Sequence, residues 1–271
     1  MTTDGRIARR FAALRAEGRA GLVGYLTAGD PDAAGARERA FAACEAGLDL
    51  LELGVPFSDP TADGPEIQEA MVRALAAGAT LDAALELAAA IRARFELPIV
   101  LFGYANPLLR RPSPAELVAK IQASGVDGLL VVDLPPEHAA ILRAPARAAG
   151  LDWIGLVAPT STARRVRRVV DVTSGFLYAV SLVGVTGTAL DPDDPALHEQ
   201  LAALRARAAL PVAVGFGVRE PAHVRALAPH VDAVVVGSAL VRAGRAGPAA
   251  LAELVRALAD ATRPRPLSPP V

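Results

Sequence analysis

Three carboxylates follow one another around the end of a single apolar segment of this chain. Glu52 stands between Leu51 and Leu53, and Asp59 and Asp63 follow in a loop rich in proline and glycine. Burying an ionised carboxylate without a partner is costly, and the pKa of such a group rises. A Glu placed in this way is typical of acid/base chemistry, the alternative being a side chain that reaches outward to solvent.

Other types of catalytic group are scarce at the ends of the apolar segments. The only lysine, Lys120, falls in a predicted helix, which excludes a Schiff-base mechanism. Asp30 precedes Pro31, so we expect a turn or helix N-cap residue there, whereas Asp133 fits a turn or a site equally well. No metal site is expected, because the four histidines have no partners at ligand spacing: His138, His198, His223 and His230.

Three glycine-bearing segments follow the last three apolar segments of the chain. Glycine lets backbone N–H groups approach an anion closely, and a helix N-terminus presents unpaired donors. Loops after the last strands of parallel barrels commonly bind phosphate. The sequence therefore predicts a small phosphate ester as substrate, held by Gly184-Val185-Thr186-Gly187, Gly215-Phe216-Gly217-Val218 and Gly237-Ser238-Ala239-Leu240.

Aromatic residues make up only 4% of the chain, yet five of them fall at or near the ends of apolar segments. Their clustering predicts an aromatic or flat apolar group in the substrate pocket. Core packing remains the alternative for each one taken singly. The five are Tyr25, Phe102, Tyr104, Tyr178 and Phe216.

Eight apolar segments must position these residues. They are continuous rather than alternating, as is typical of parallel strands buried on both faces, and helical sequence separates each from the next. Eight repeats of strand and helix predict a single-domain (β/α)₈ TIM barrel. The predicted strands are Leu22–Thr27, Leu48–Leu53, Ile99–Tyr104, Gly128–Leu134, Trp153–Ala158, Phe176–Leu182, Val212–Phe216 and Ala233–Val236.

Several segments depart from this rhythm. Arg6–Glu17 predicts an extra N-terminal helix that closes the bottom of the barrel, and Pro65–Ala77 predicts an inserted helix after the second strand, before another at Leu81–Phe95. Gly184–Pro195 has the length and composition of a mobile lid. The proline-rich tail, residues 263–271, is predicted to be disordered, which leaves residues 1–262 as the catalytic domain.

A short pattern recurs before several predicted strands. Glycine, a hydrophobic residue and Asp stand at 47–49, 125–127 and 150–152, and Val231-Asp232 precedes the eighth strand. Glycine accommodates the left-handed conformation that ends a helix. We interpret these segments as turns at the bottom of the barrel, so the chemistry belongs at the opposite ends of the strands.

Charge and composition exclude some classes of function. The net charge is −1 from 28 basic and 29 acidic side chains, with no basic block interleaved with aromatics, so no nucleic-acid partner is expected. Cys44 is the only cysteine, which favours a reducing compartment. No apolar run reaches the ~18 residues of a membrane span, so we expect a cytoplasmic protein without a membrane partner.

The segment 52–68, which reads ELGVPFSDPTADGPEIQ, closely resembles a motif of the tryptophan synthase alpha subunit family. Further blocks resemble that family in the same order across nearly the whole chain. They are Gly24–Pro31, Tyr104-Ala105-Asn106, Asp133-Leu134-Pro135, Gly184–Gly187, Gly215-Phe216-Gly217 and Gly237-Ser238. The long motif is highly specific, whereas many phosphate-binding barrels share the glycine blocks.

The resemblance implies a retro-aldol cleavage of indole-3-glycerol phosphate to indole and D-glyceraldehyde 3-phosphate. It implies that Glu52 is the general acid/base and that Asp63, ionised among polar loop neighbours, binds the indole N–H. Burial between leucines is expected to raise the pKa of Glu52. Carried over in the same way, the phosphate is held by Gly187, Phe216, Gly217, Gly237 and Ser238, and the indole pocket is lined by Tyr25, Ile67, Phe102, Leu130 and Tyr178.

The resemblance also implies a partner. Asp59 and Thr186 would lie on the two loops that close over the substrate and face a beta subunit in an alpha2-beta2 complex. Pyridoxal phosphate would be bound by that beta subunit, and no cofactor by this chain. Leu182-Val183 departs from the family pattern, since many relatives have a polar residue there.

Other functions remain open on the residues alone. Other enzymes with the same barrel are a phosphosugar isomerase or epimerase, or indole-glycerol-phosphate synthase. A metal-dependent epimerase would require histidines at strand ends, and the synthase would require a lysine on a strand. The chain could also be chiefly an activator of the beta subunit with low intrinsic activity, or a stand-alone enzyme that releases indole.

Overall fold

The structure is a computed structural model that describes residues 5–111, 113–158, 161–180, 191–215 and 217–263. Within these residues the strands are β1 (Gly21–Thr27), β2 (Leu50–Gly54), β3 (Ile99–Gly103), β4 (Gly128–Val131), β5 (Asp152–Trp153), β6 (Gly155–Val157), β7 (Leu177–Val180), β8 (Val212–Gly215) and β9 (Ala233–Val236). The helices are α1 (Arg6–Ala16), α2 (Ala33–Glu45), α3 (Pro65–Ala76), α4 (Leu81–Arg92), α5 (Ala105–Leu109), α6 (Pro114–Ala123), α7 (Ala140–Ala148), α8 (Ala163–Val170), α9 (Pro195–Arg207), α10 (Pro221–Leu227), α11 (Ser238–Arg245) and α12 (Pro248–Ala261).

The strands form one parallel sheet in the order β5-β4-β3-β2-β1-β9-β8-β7-β6. Its two ends, β5 and β6, are separated by Ile154 alone, whose N–H donates to the Leu129 carbonyl at 2.9 Å. The sheet therefore closes within the fifth predicted strand, which is divided in two. The predicted single-domain TIM barrel is confirmed.

The helices predicted outside the regular repeat are present. The N-terminal helix is α1, and its Ile7, Phe11 and Leu14 are buried in the cluster inside the barrel. The Phe11 ring lies 5.7 Å from the ring of Phe176, just before β7, so α1 closes the bottom of the barrel as expected. The inserted helix is α3, and α4 follows it, ending three residues before the predicted Phe95. The short helix α5 was not predicted.

Side chains of each strand alternate between two apolar clusters. On β2, Leu51 and Leu53 pack outward against the surrounding helices, and Leu50 packs inside the barrel. Burial on both faces explains the continuous apolar segments of the sequence. The inner cluster also includes residues of α1 and α3, so both ends of the barrel are filled.

The recurring Asp residues satisfy backbone groups at the bottom of the barrel. Asp49, Asp127 and Asp232 accept hydrogen bonds from the N–H groups of Leu22, Ile99 and Val212, at 2.7, 2.8 and 2.9 Å. Each Asp also donates its own backbone N–H to the carbonyl of the strand residue that donates to it, so Asp49 bonds Leu22, Asp127 bonds Ile99 and Asp232 bonds Val212 in both directions. The glycines before them, at 47 and 125, have φ of +114° and +82°, as predicted for the end of a helix.

Residues 184–190 of the predicted lid and residues 264–271 of the predicted tail lie outside the described residues. Their order, and the extent of the catalytic domain over 1–262, stay predictions. In the described part of the chain, no single helix has the length and apolar character to cross a membrane. Taken together, α3 and α4 have enough length and apolar composition to do so, but the two helices are bent by 102° relative to each other.

Replacement of Asp49 by Ala should destabilise the fold strongly. Asp49 is 2% exposed and pairs with Arg10 and with both terminal nitrogens of Arg19, at 2.8 and 2.9 Å. Removing one partner of a buried ion pair costs about 3–5 kcal/mol. We therefore expect the thermal midpoint to fall by roughly 6–12 °C, measured by circular dichroism.

Glu45→Ala is the matched control, because Glu45 and Arg94 form an exposed ion pair, and such pairs contribute at most about 1 kcal/mol. Equal losses of thermal stability in the two variants would show that the Asp49 cluster has no special structural role.

Candidate active site

Glu52 projects from β2 into the barrel. It lies opposite Tyr25 of β1 and Val100 of β3, and its side chain is 1% exposed. Its Oε1 has no hydrogen-bond partner among the described residues. Burial, and then the negative charge of Asp63, raise the pKa of Glu52 to about 8, so the carboxyl holds a proton at neutral pH. The alternative of an outward side chain is wrong.

Asp63 is also buried, although it follows β2 in a loop. The Tyr104 hydroxyl donates to its Oδ2 at 2.6 Å, and the N–H of Ala62 donates to the Tyr104 oxygen at 3.0 Å. Gln68 donates to the Asp63 carbonyl at 2.8 Å, which ties the loop to α3. Burial raises the pKa of Asp63, and the Tyr104 hydrogen bond opposes that rise. Asp63 thus has polar neighbours as expected, but it is more buried than its loop position indicates, and its ionised state stays a prediction.

The two carboxylates differ in their hydrogen bonds more than in their burial. The anion of Asp63 accepts a bond from Tyr104, whereas Glu52 Oε1 accepts none from the described residues. A hydrogen bond to the charged form favours ionisation. As pH falls, Glu52 is consequently the first of the pair to take a proton, and as pH rises it is the last to release one. One site thus contains both an acid and an anion.

The residues assigned to an aromatic pocket lie together inside the barrel. Tyr25 and Phe102 meet edge to face with ring centroids 5.2 Å apart, and Phe57 lies 5.1 Å from Tyr104. All five predicted pocket residues belong to the inner cluster around Glu52: Tyr25, Ile67, Phe102, Leu130 and Tyr178.

Two of the predicted phosphate residues begin α11. Gly237 is the N-cap residue and Ser238 the first helical residue, and no side chain of the described residues caps this helix end. Such a helix end can offer its first N–H groups to an anion. A Cβ on Gly237 would lie 3.4 Å from Ile67 Cδ1 and 3.5 Å from Tyr25 Cβ, so the helix end adjoins the inner cluster. Gly217, after β8, has a φ of +80°.

The remaining predicted site residues fall into two groups. Three of them lie outside the described residues, as does Leu182-Val183: Gly187, Phe216 and Thr186. Asp59 is exposed and accepts a hydrogen bond from the Ser58 hydroxyl, apart from the inner cluster. Among the described residues there is no group of His, Cys, Asp and Glu that could hold a metal ion.

Sequence analysis missed the role of Tyr104 as donor to Asp63. The sequence marks Tyr104 as an aromatic residue at a strand end and as part of the block Tyr104-Ala105-Asn106, with no role assigned to its hydroxyl. The available signal was its position directly after β3, the neighbour of β2, because carboxyl ends of neighbouring parallel strands meet at one edge.

Comparison with known proteins identifies the family. The family model described as Tryptophan synthase alpha chain matches residues 11–262. The chain belongs to the tryptophan synthase alpha chain family. Two relatives named tryptophan synthase alpha chain come from Burkholderia mallei, 51% identical over 88% of this chain and 87% of the relative, and Halorhodospira halophila, 50% identical over 94% and 93%.

Solved structures of the same family share the fold. Mycobacterium tuberculosis tryptophan synthase superposes with a TM-score of 0.89 at 37% identity, covering 96% of this chain and 99% of that one. Tryptophan synthase subunit alpha from Legionella pneumophila gives 0.88 at 34% identity, with 95% and 98% covered. As a member of this family, the chain is a lyase of tryptophan biosynthesis that cleaves indole-3-glycerol phosphate.

Replacement of Glu52 by Gln should stabilise the fold increasingly as pH rises. The pKa of Glu52 is near 4.5 when unfolded and about 8 when folded, so the fold binds this proton more tightly and loses stability as pH rises between these values. The Gln side chain is neutral at every pH in this range. The gain in free energy of unfolding should be nil below pH ~4.5 and reach up to about 5 kcal/mol above pH ~8, measured by urea unfolding.

Glu86→Gln, at an exposed position of α4, is the control and should show no such trend. A gain for Glu52→Gln that is the same at every pH would contradict the burial argument.

Proposed function

We propose that Glu52 and Asp63 carry out the lyase reaction, with Glu52 as general acid and base and Asp63 as the anion at the indole nitrogen. The observation that supports this most is the burial of Glu52, whose Oε1 has no partner among the described residues; burial raises its pKa to about 8, which suits a proton donor at neutral pH. General acids work best when their pKa lies near the working pH. Asp63, with its Tyr104 donor, is the group better suited to stay ionised.

Cleavage begins with transfer of the Glu52 proton to C3 of the indole. The ring loses its aromaticity and the nitrogen gains positive charge, which the Asp63 carboxylate stabilises while it accepts the N–H. The bond from C3 to the side-chain carbon then breaks, and its electron pair restores the indole. The hydroxyl on that carbon loses its proton to Glu52 and becomes the aldehyde, so Glu52 ends protonated as it began.

The inner cluster and α11 would position the substrate for these steps. Tyr25, Ile67, Phe102, Leu130 and Tyr178 would hold the indole, and the phosphate would be held by Gly187, Phe216, Gly217, Gly237 and Ser238. The N-terminus of α11, which no described side chain caps, supports the second assignment, because its N–H groups and helix dipole favour an anion. Fixing both ends of the substrate holds the reacting groups in the geometry that the reaction needs, which raises the rate.

The proposal extends to the assembly. Family membership as an alpha chain points to a beta subunit as partner. We place the two in an alpha2-beta2 complex in the cytoplasm, with pyridoxal phosphate on the beta subunit and no cofactor on this chain. Asp59, exposed after β2, and Thr186 would lie on the loops that close towards that partner.

Glu52→Gln should abolish most indole release from indole-3-glycerol phosphate. Loss of the general acid should lower kcat by at least about 10²-fold with little change in KM. The assay is run with and without a beta subunit, to measure how far the partner activates the chain. Near-UV circular dichroism confirms the fold, and retention of most of the wild-type rate would refute the assigned mechanism.

Tyr104→Phe should move the acid limb of the pH profile to higher pH. Its hydroxyl lowers the pKa of Asp63, so without it Asp63 takes up a proton at a higher pH and loses the charge that the indole nitrogen requires. The measurement is kcat/KM as a function of pH. Tyr25→Phe removes a hydroxyl of the site that accepts a hydrogen bond from the Thr27 hydroxyl, and it should leave the acid limb at the wild-type pH. An unshifted limb in Tyr104→Phe would exclude Tyr104 as the donor that sets the charge of Asp63.

A further inference from the structure

The two halves of the proposed site begin two helices that touch at their N-termini. Asp63 and Gly64 lead into α3, and Gly237 leads into α11 at the phosphate end. A Cβ on Gly64 would lie 3.8 Å from Ser238 Oγ. Any relative movement of α3 and α11 would therefore change the spacing between Asp63 and the phosphate.

Ion pairs join these helices beyond their N-termini. Arg242 Nε of α11 lies 3.0 Å from Glu66 Oε1 of α3, and Arg245 Nη1 lies 3.1 Å from Glu69 Oε2. Arg245 also lies 3.9 Å from Glu66 Oε2. Glu66 stands in the first turn of α3, three residues after Asp63, so this contact acts next to the reacting group.

The same chain of charges continues into the body of the barrel. Glu69 lies 3.8 Å from Arg73, and Arg73 lies 2.7 Å from Asp30, which follows β1. Asp30 is 5% exposed and also pairs with Arg39 of α2 at 3.1 Å. Of the two roles expected for Asp30, the turn is confirmed, because its N–H donates to the Thr27 carbonyl at 3.4 Å, whereas Asp32 caps α2. The network thus has a buried anchor at one end and the phosphate helix at the other.

A network of this kind differs from isolated surface pairs. Single exposed pairs contribute little, whereas several charges that share partners hold one another in place. Here each carboxylate has two cationic partners, and Glu66 is only 25% exposed. Arg242 and Arg245 are 54% and 51% exposed, so these pairs link α11 to α3 without adding much to the stability of the fold.

We propose that Glu66, Arg242 and Arg245 are positioning residues that couple occupation of the phosphate end to the placement of Asp63. An anion bound at the start of α11 fixes that helix, and the ion pairs carry the constraint to α3 and the adjoining Asp63 loop. The inference rests on the proposed function, because it assumes that phosphate and indole occupy the two ends of one site.

The test measures binding without catalysis. Affinity for indole is measured by calorimetry with and without saturating glycerol 3-phosphate, and the ratio of the two affinities is the coupling factor. Coupling between sites typically amounts to about 5–150-fold. We expect at least about fivefold in the wild type and less than about twofold in Glu66→Gln and in Arg242→Gln.

The two variants separate positioning from simple electrostatics. Glu66→Gln removes a negative charge near the phosphate end and should strengthen glycerol 3-phosphate binding, whereas Arg242→Gln removes a positive charge and should weaken it. The coupling factor should fall in both. High salt screens exposed charges, so it should lower the wild-type factor and leave those of the variants unchanged.

Asp82→Asn is the matched control. Asp82 lies in the first turn of α4 and pairs with Lys120 at 2.8 Å and Arg111 at 3.0 Å, away from α11. It should keep the wild-type coupling factor, and a similar fall in this control would overturn the inference. So would a wild-type factor near one, or an unchanged factor in both test variants. If the wild type binds neither ligand, the proposed function itself fails.

Discussion

The burial of Glu52 is the constraint on which the site depends. Inside the barrel an ionised carboxylate without a donor costs several kcal/mol, so the group keeps its proton at neutral pH. Outward-packed Leu51 and Leu53 hold the strand in the register that aims Glu52 inward. The apolar core that stabilises the barrel is thus the same environment that makes this carboxyl an acid, at a cost in stability that grows with pH.

Carboxylates at the two ends of the barrel show the difference between structural and chemical roles. Asp49, Asp127 and Asp232 at the bottom each accept a backbone N–H and pair with an arginine. Glu52, nearer the opposite end, has an oxygen with no partner among the described residues. A carboxylate whose oxygens are taken up by backbone and arginine partners serves the fold, whereas a carboxyl with an oxygen that has no described partner retains capacity for a substrate.

The sequence predicted those parts of the molecule that depend on local pattern. The eightfold repeat of continuous apolar segments and helical sequence predicted the barrel, and the leucines beside Glu52 indicated its burial and raised pKa, which the structure confirms. Contacts between distant segments could not be predicted. Tyr104 lies 41 residues from Asp63, and Arg242 lies 176 residues from Glu66. The break at Ile154 likewise depends on how the barrel closes, which no local pattern records.

One hydroxyl reinforces the separation of roles within the carboxylate pair. Glu52 and Asp63 are both buried, and burial raises the pKa of both. Two interacting carboxyls share their protons as a pair unless their surroundings differ. Glu52 is the more buried of the two, and Tyr104 adds to this difference, because its hydroxyl favours the charge on Asp63, and that charge in turn raises the pKa of Glu52. A side chain that directly follows the neighbouring strand therefore helps to set which carboxyl holds the proton.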